Sequence, residues 1–317
     1  MKIPYLLLPL MLAATCFGYA PKTAPLMTRW ASEVDATLPH NEYPRPQLER
    51  KSWTNLNGVW EFQITDENFN VEFGKKLSGE ILVPFPPQSA LSGVMEHCDS
   101  VVYRRALNFN EDLKGKRAIL NFGAVDYECE VFVNAKSAGK HVGGYLPFSF
   151  DITNLLKSGE NEIIVKVYDP TDKGGQPRGK QDSKPQGIMY TATTGIWQTV
   201  WLEVVPEEYI SSLEIVPDID KGSVFVNVKS NAQKDAAIEV LDGEKVVASK
   251  QAKTNEPAEI KIENAKLWDS QNPFLYTLKI KMGNDEVKSY FGMRKISLVE
   301  ENGVKKIALN NKPVFMV

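Results

Sequence analysis

The chain has 317 residues, with 37 Lys and Arg against 40 Asp and Glu and a formal net charge of −3. That length makes two domains the natural expectation, and 43% apolar residues suffice for each to bury a core. Charges of both signs are interspersed without a basic stripe, which argues against a nucleic acid partner, and three histidines make a metal cluster improbable.

The first segment reads as an export signal over 1–20. Lys2 supplies the positive end, Leu6 to Ala14 form an apolar run broken by Pro9, and Ala13, Ala14, Gly18 and Ala20 supply small residues. The run is shorter than the roughly 20 apolar residues that span a bilayer, and no later stretch comes close, so no transmembrane segment is expected. Leu12-Ala13-Ala14-Thr15-Cys16 resembles a lipoprotein box; cleavage after Gly18 or Ala20 is the plain alternative, with Pro21 awkward for the second. The expectation is export to the periplasm or beyond, with a lipid anchor through Cys16 left open.

Period two dominates the chain beyond the signal. Ile163, Val165 and Val167 share one face of a run; Val224, Val226 and Val228 share another. Tyr276, Leu278, Ile280 and Met282 alternate with Thr277, Lys279 and Lys281, and Val200, Leu202 and Val204 repeat the pattern. Such alternation means strands with one buried face. Turn pairs such as Asn57-Gly58, Gly143-Gly144, Asp242-Gly243 and Asn302-Gly303 separate the runs. No 3.6-residue stripe of helix length comes after the signal, so the expected class is all-β. A boundary falls near Pro206-Glu207-Glu208, beyond which aromatic residues thin out and Lys and Glu increase. Cys98 and Cys129 are read as buried free thiols rather than a bridge, Cys129 sharing a strand face with Tyr127 and Val131.

A series of motifs then carries a resemblance. Asn55-Leu56-Asn57-Gly58-Val59-Trp60-Glu61-Phe62, Val83-Pro84-Phe85-Pro86-Pro87, Tyr103-Arg104-Arg105, Phe122-Gly123-Ala124-Val125-Asp126-Tyr127 and Gly143-Gly144-Tyr145-Leu146-Pro147-Phe148 succeed one another in order. Gly195-Ile196-Trp197-Gln198-Thr199-Val200-Trp201, Asn272-Pro273-Phe274-Leu275-Tyr276, Phe291-Gly292-Met293-Arg294 and Asn310-Asn311-Lys312-Pro313 complete the series. From about Pro44 to Val317 the chain resembles the front of glycoside hydrolase family 2, the family of β-galactosidases and β-glucuronidases. The resemblance implies a jelly-roll-like, galactose-binding-type sandwich over 42–207 and an immunoglobulin-like β-sandwich over 208–297. It also implies that 298–317 begin a linker into a (β/α)8 barrel that is missing from the sequence.

Retaining glycosidases use two carboxylates about 5–5.5 Å apart as acid/base and nucleophile. In the family both are barrel glutamates, so no catalytic residue is expected in this chain, nor any metal or cofactor. Glu128/Glu130, Asp66/Glu67, Glu207/Glu208 and Glu300/Glu301 read as solvated surface charge. The expected partners are an oligo- or polysaccharide substrate and the barrel of the same protein, and a stand-alone carbohydrate-binding or adhesion protein is the alternative. The family's sugar-binding domain sends loops towards the barrel mouth. Here the polar stretch Gly174 to Asp182 fits that role, which makes Lys180, Gln181 and Asp182 candidate sugar contacts, or else members of a solvated loop ordered by the barrel. Tyr190 is a candidate stacking face, and His141 lies just ahead of Gly143-Gly144-Tyr145. Trp201 is expected in the core, and Trp268 as an anchor of the second sandwich. His97 matches no metal-site spacing. Several family members carry an Asp six residues before the Gly of the Gly-Ile-aromatic motif, where this chain has Met189, which weakens any transfer of galactose or glucuronate specificity.

Overall fold

Alternation drives the backbone into strands because an extended chain can bury one row of side chains and leave the next wet. The structure, a computed structural model, describes residues 18–315. The signal reading up to 17 and the box at Cys16 lie outside the described residues. No helix among those described is long and apolar enough to cross a membrane.

In chain order the strands are β1 (Thr54–Asn55), β2 (Gly58–Ile64), β3 (Gly79–Val83), β4 (Ser100–Phe109), β5 (Lys116–Phe122), β6 (Val125–Asp126), β7 (Glu128–Val133) and β8 (Lys136–Val142). Next come β9 (Phe148–Asp151), β10 (Gly159–Tyr168), β11 (Gln181–Asp182), β12 (Tyr190–Thr191), β13 (Gly195–Ile196) and β14 (Val200–Pro206). Beyond the boundary lie β15 (Ile210–Asp218), β16 (Ser223–Ser230), β17 (Asp235–Asp242), β18 (Lys245–Lys253), β19 (Pro257–Lys261), β20 (Tyr276–Met282) and β21 (Asp285–Phe291). The last are β22 (Ile296–Glu301), β23 (Val304–Leu309) and β24 (Lys312–Pro313). The protein is all-β.

The first sandwich packs the sheet β3-β2-β4-β10-β7-β8 against β1-β14-β5-β9. Ile163, Val165 and Val167 meet Leu120, Phe122, Val200 and Leu202 in a core that also holds Trp60, Phe62 and Tyr103. Each such side chain contributes roughly 1.5–3 kcal/mol on burial. Trp60 satisfies its one polar atom by donating Nε1–H to the Leu56 carbonyl at 2.8 Å. Trp201 is buried, with Nε1–H donated to Glu203 Oε1 at 2.7 Å. Cys98 and Cys129 are both buried and unbridged, and burial pushes each thiol up to about 12.

The second sandwich packs β15-β16-β19 on β18-β17-β20-β21 around Val224, Val226, Val228, Ile238, Val240, Leu278, Ile280 and Met282. Trp268 is only half-buried and lies outside this core. It sits at the sheet edge, close against Gly292, with the Arg294 guanidinium 4.7 Å from its ring. Strands β22, β23 and β24 form a further antiparallel sheet, where the sequence reads as linker. Leu298 faces Ile307, and Ile296 faces Leu309, across β22 and β23. Ile296, Leu298 and Ile307 on that face stay open to solvent, as does Phe315 beyond it.

The two sandwiches are joined through the segment ahead of β1. Glu49 and Lys288 exchange backbone hydrogen bonds of 2.8 and 2.9 Å. Arg50, 7% exposed, donates Nη1–H to Glu203 Oε2 at 3.0 Å and Nη2–H to the Ile210 carbonyl at 2.7 Å. It also grips Asp285 of the second sandwich through Nε and Nη2.

Candidate functional site

The polar loop predicted between β10 and β13 closes on itself through a two-residue parallel ladder, in which Gln181 pairs with Tyr190 and Asp182 with Thr191. Tyr190 N–H donates to the Lys180 carbonyl at 2.8 Å. This ladder brings Lys180, Gln181, Asp182 and Tyr190 together, although seven residues lie between Asp182 and Tyr190 of β12 and no local periodicity announces it.

Their side chains do different things. Gln181 turns inward: Nε2 donates to Asp126 Oδ2 at 3.0 Å, and Oε1 accepts from the Thr193 N–H at 2.6 Å. Both ends of the amide are therefore engaged with the protein. Asp182 Oδ1 accepts from the Lys184 N–H at 2.8 Å, which fixes the next turn, and Oδ2 lies 4.0 Å from Arg178 Nη1. Lys180 and Tyr190 face outward, with the ammonium 5.8 Å from the tyrosine ring centroid and the ring 64% exposed. His141 is placed apart from these four. Its ring stacks on Phe148 with centroids 3.9 Å apart, and Nε2 lies 3.0 Å from the Gly143 carbonyl.

Asp126, at the end of the Gly123-Ala124-Val125-Asp126 run, is the residue that orders this region, and sequence reasoning passes over it. It is 3% exposed, and burial, helped by the neighbouring charge of Asp169, pushes its carboxyl up to about 6 against the hydrogen bond from Gln181. The one available signal is an acidic residue inside an otherwise apolar strand run, since a buried charge requires a partner. Gly144 makes the close approach possible: a Cβ there would lie 2.2 Å from Asp126 Oδ1. Tyr145, the next residue, packs edge-on to Trp197 at 6.2 Å, and Trp197 donates Nε1–H to the Gly144 carbonyl at 2.8 Å.

A second buried group braces the loop's far end. Thr194 Oγ1 lies 2.9 Å from Asp169 Oδ2 and accepts from Gln88 Nε2 at 2.9 Å. Burial raises the Asp169 carboxyl as well. Gly195 follows at φ +80°, where a Cβ would meet the Tyr103 hydroxyl at 2.1 Å. That approach places the Ile196 N–H 3.2 Å from the Tyr103 oxygen.

Several other carboxylates come together around an arginine. Glu61 and Glu162 hold Arg104 at 2.7 and 2.6 Å, and Glu203 and Asp285 hold Arg50 at 3.0 and 2.8 Å. Asp172 and Asp182 flank Arg178. An arginine between two acids cross-links the segments that carry them through charge-assisted hydrogen bonds. His97 pairs with Asp99 at 3.2 Å. Among the described residues no three His, Cys, Asp or Glu side chains gather as metal ligands would.

Comparison with known proteins finds two family regions in succession. The family model described as "Glycosyl hydrolases family 2, sugar binding domain" matches residues 68–206, and the model "Glycosyl hydrolases family 2" matches 208–294. A putative beta-glucuronidase of Formosa agariphila is 34% identical over 57% of this chain and 22% of its own length. A beta-galactosidase of Thermoanaerobacter pseudethanolicus is 29% identical over 67% of this chain and 30% of its own. Among solved structures, a beta-glucuronidase of an uncultured Clostridium species superposes with a TM-score of 0.67 at 26% identity, covering 86% of this chain and 49% of that one. A Ruminococcus gnavus beta-glucuronidase, at 23% identity and a TM-score of 0.71, shows the same fold over 87% of this chain and 50% of its own. The chain thus spans about a fifth to a third of these curated relatives' length and half of these solved chains.

Proposed function

The chain belongs to glycoside hydrolase family 2, and from that membership we propose that it is the non-catalytic front of a longer retaining β-glycosidase, acting on an oligo- or polysaccharide. Cleavage of the glycosidic bond would fall to a barrel that supplies both carboxylates. The two sandwiches would position the outward loop of Lys180 and Tyr190 at the rim of the barrel's site. The observation that carries this reading is that six carboxylates, Glu61, Glu162, Glu203, Asp285, Asp172 and Asp182, are each tied up beside an arginine. The open apolar face of Ile296, Leu298 and Ile307 supports it further, since exposed apolar patches mark surfaces that pack against something.

In this reading Gln181 positions the loop rather than touching sugar, because its amide is spent on Asp126 and Thr193. Tyr190 offers an exposed ring for stacking, and Lys180 offers donors to hydroxyl or carboxylate groups. Calorimetric or NMR titration of the chain with a panel of galactosides, glucuronides and longer β-linked oligosaccharides tests it. Binding no tighter than about millimolar is expected of half a site, since affinity at that level corresponds to only about 4 kcal/mol. Micromolar binding would instead establish a self-sufficient carbohydrate-binding protein.

A further inference from the structure

The segment just after the apolar leader is seated on the first sandwich by contacts the sugar-binding role does not use. Tyr19 is half-buried, its hydroxyl donates to the Leu91 carbonyl at 2.7 Å, and its ring lies where a Cβ on Gly93 would meet it at 2.9 Å. Lys22 continues the docking: its N–H donates to the Ala90 carbonyl at 2.9 Å and its ammonium to the Val94 carbonyl at 2.6 Å. The Tyr19 backbone nitrogen donates to Glu80 Oε2 at 2.6 Å, so the carboxylate stands where an α-ammonium on that same atom would meet it. The cleft there is also lined by Glu61 and Lys76. Glu61 is paired with Arg104, so Glu80 is the carboxylate left to meet the nitrogen.

We infer that export cuts the chain between Gly18 and Tyr19, and that the freed α-ammonium of Tyr19 is clasped by Glu80. Water adds across the Gly18–Tyr19 peptide bond under a membrane leader peptidase, leaving a carboxylate on Gly18 and an ammonium on Tyr19. Small residues at Gly18 and Cys16 stand one and three places before the cut, as such peptidases require. Gly18 is exposed, and nothing lies within 4 Å of the position of its would-be Cβ, so its loss removes no packing. Cutting after Ala20 would discard Tyr19 with its three contacts and place Pro21 at the new terminus. Cutting before Cys16 would leave Tyr19 as an internal amide, with no charge for Glu80 to meet.

The test is to express the whole chain in an export-competent bacterium and read its N-terminus by sequencing and intact mass. A single species beginning Tyr19-Ala20-Pro21-Lys22 is expected. A species beginning at Pro21, one carrying lipid on Cys16, or one retaining Met1 overturns the assignment. The clasp has its own readout. In Glu80→Gln, an aminopeptidase should release Tyr19 on the order of two- to fivefold faster than from the parent, as loss of one exposed ion pair implies. Equal rates overturn the clasp. Glu80 is exposed, so the variant folds.

Discussion

Arg50 reaches from the segment ahead of the first sandwich to Asp285 in the second, and its Nε and Nη2 meet the two carboxylate oxygens at 3.2 and 2.8 Å. Glu203 takes the remaining face of the guanidinium, and Tyr43 donates its hydroxyl to the same glutamate at 2.6 Å. One side chain therefore ties groups of both sandwiches together beside the Glu49–Lys288 backbone bonds. Arg50→Met should lower unfolding stability by about 3–5 kcal/mol, because Asp285 is left buried without its cation while Glu203 keeps only Arg45. Denaturant unfolding measures this; a loss below about 1 kcal/mol would mean that the sandwiches hold each other without Arg50.

The Asp126 carboxyl sets a pH dependence. Its folded value, about 6, lies above the ordinary 3.8, so its contribution is fully present below pH 4 and is lost as pH rises through 6. Asp126→Asn removes the charge and keeps the shape. The variant should therefore gain on the parent by about 1–3 kcal/mol as pH goes from 4 to 7, each tenfold change in proton affinity being worth about 1.4 kcal/mol. Chemical unfolding at several pH values checks the slope, and a pH-independent difference would place the carboxyl at its ordinary value.

Gln181 and Tyr190 are neighbours in one ladder with separable roles. Gln181→Ala strands the buried Asp126 and the Thr193 N–H, and should cost about 1–3 kcal/mol of stability and open the loop to limited proteolysis. Tyr190→Ala, at an exposed ring, should change stability by less than about 0.5 kcal/mol while weakening any sugar binding. The reverse pattern would exchange their roles.

Gly144→Ala tests the close approach under the loop. The added Cβ falls on Asp126 Oδ1, so about 1–3 kcal/mol of destabilisation is expected, measured by thermal or denaturant unfolding. A neutral effect would show that the loop and Asp126 can shift apart freely.

The uncovered face of β22 and β23 should make the isolated chain self-associate. Replacing Ile296 and Leu298 with Lys should raise the concentration at which light scattering still shows monomer, without lowering the melting temperature. A parent chain already monodisperse at high concentration would contradict this.

The fold is legible in the sequence because its signal is local. Val224, Val226 and Val228 alternate in sequence and are buried together, and the same holds for Leu278, Ile280 and Met282. The site is legible only in part, because its organising contact is between Asp126 and Gln181, 55 positions apart. Loop polarity points to Lys180, Gln181, Asp182 and Tyr190, which do lie together, but polarity cannot show that the Gln181 amide turns inward. His141 stands out for its place beside two glycines, whereas its packing on Phe148 depends on a neighbouring strand. Arg50 carries no signal, since a clasp between sandwiches has no period. Trp268 reads as an anchor of the second sandwich, whereas the edge it occupies is set by Gly292 and Arg294.

The measurement that bears most directly on the proposed role is turnover of chromogenic β-glucuronides and β-galactosides by the purified chain. No hydrolysis above the uncatalysed background is expected, because in the proposed role both catalytic carboxylates belong to the barrel. Turnover at an ordinary enzymatic rate, of order 1 per second or faster, would place the catalytic pair within these two sandwiches and contradict the proposal.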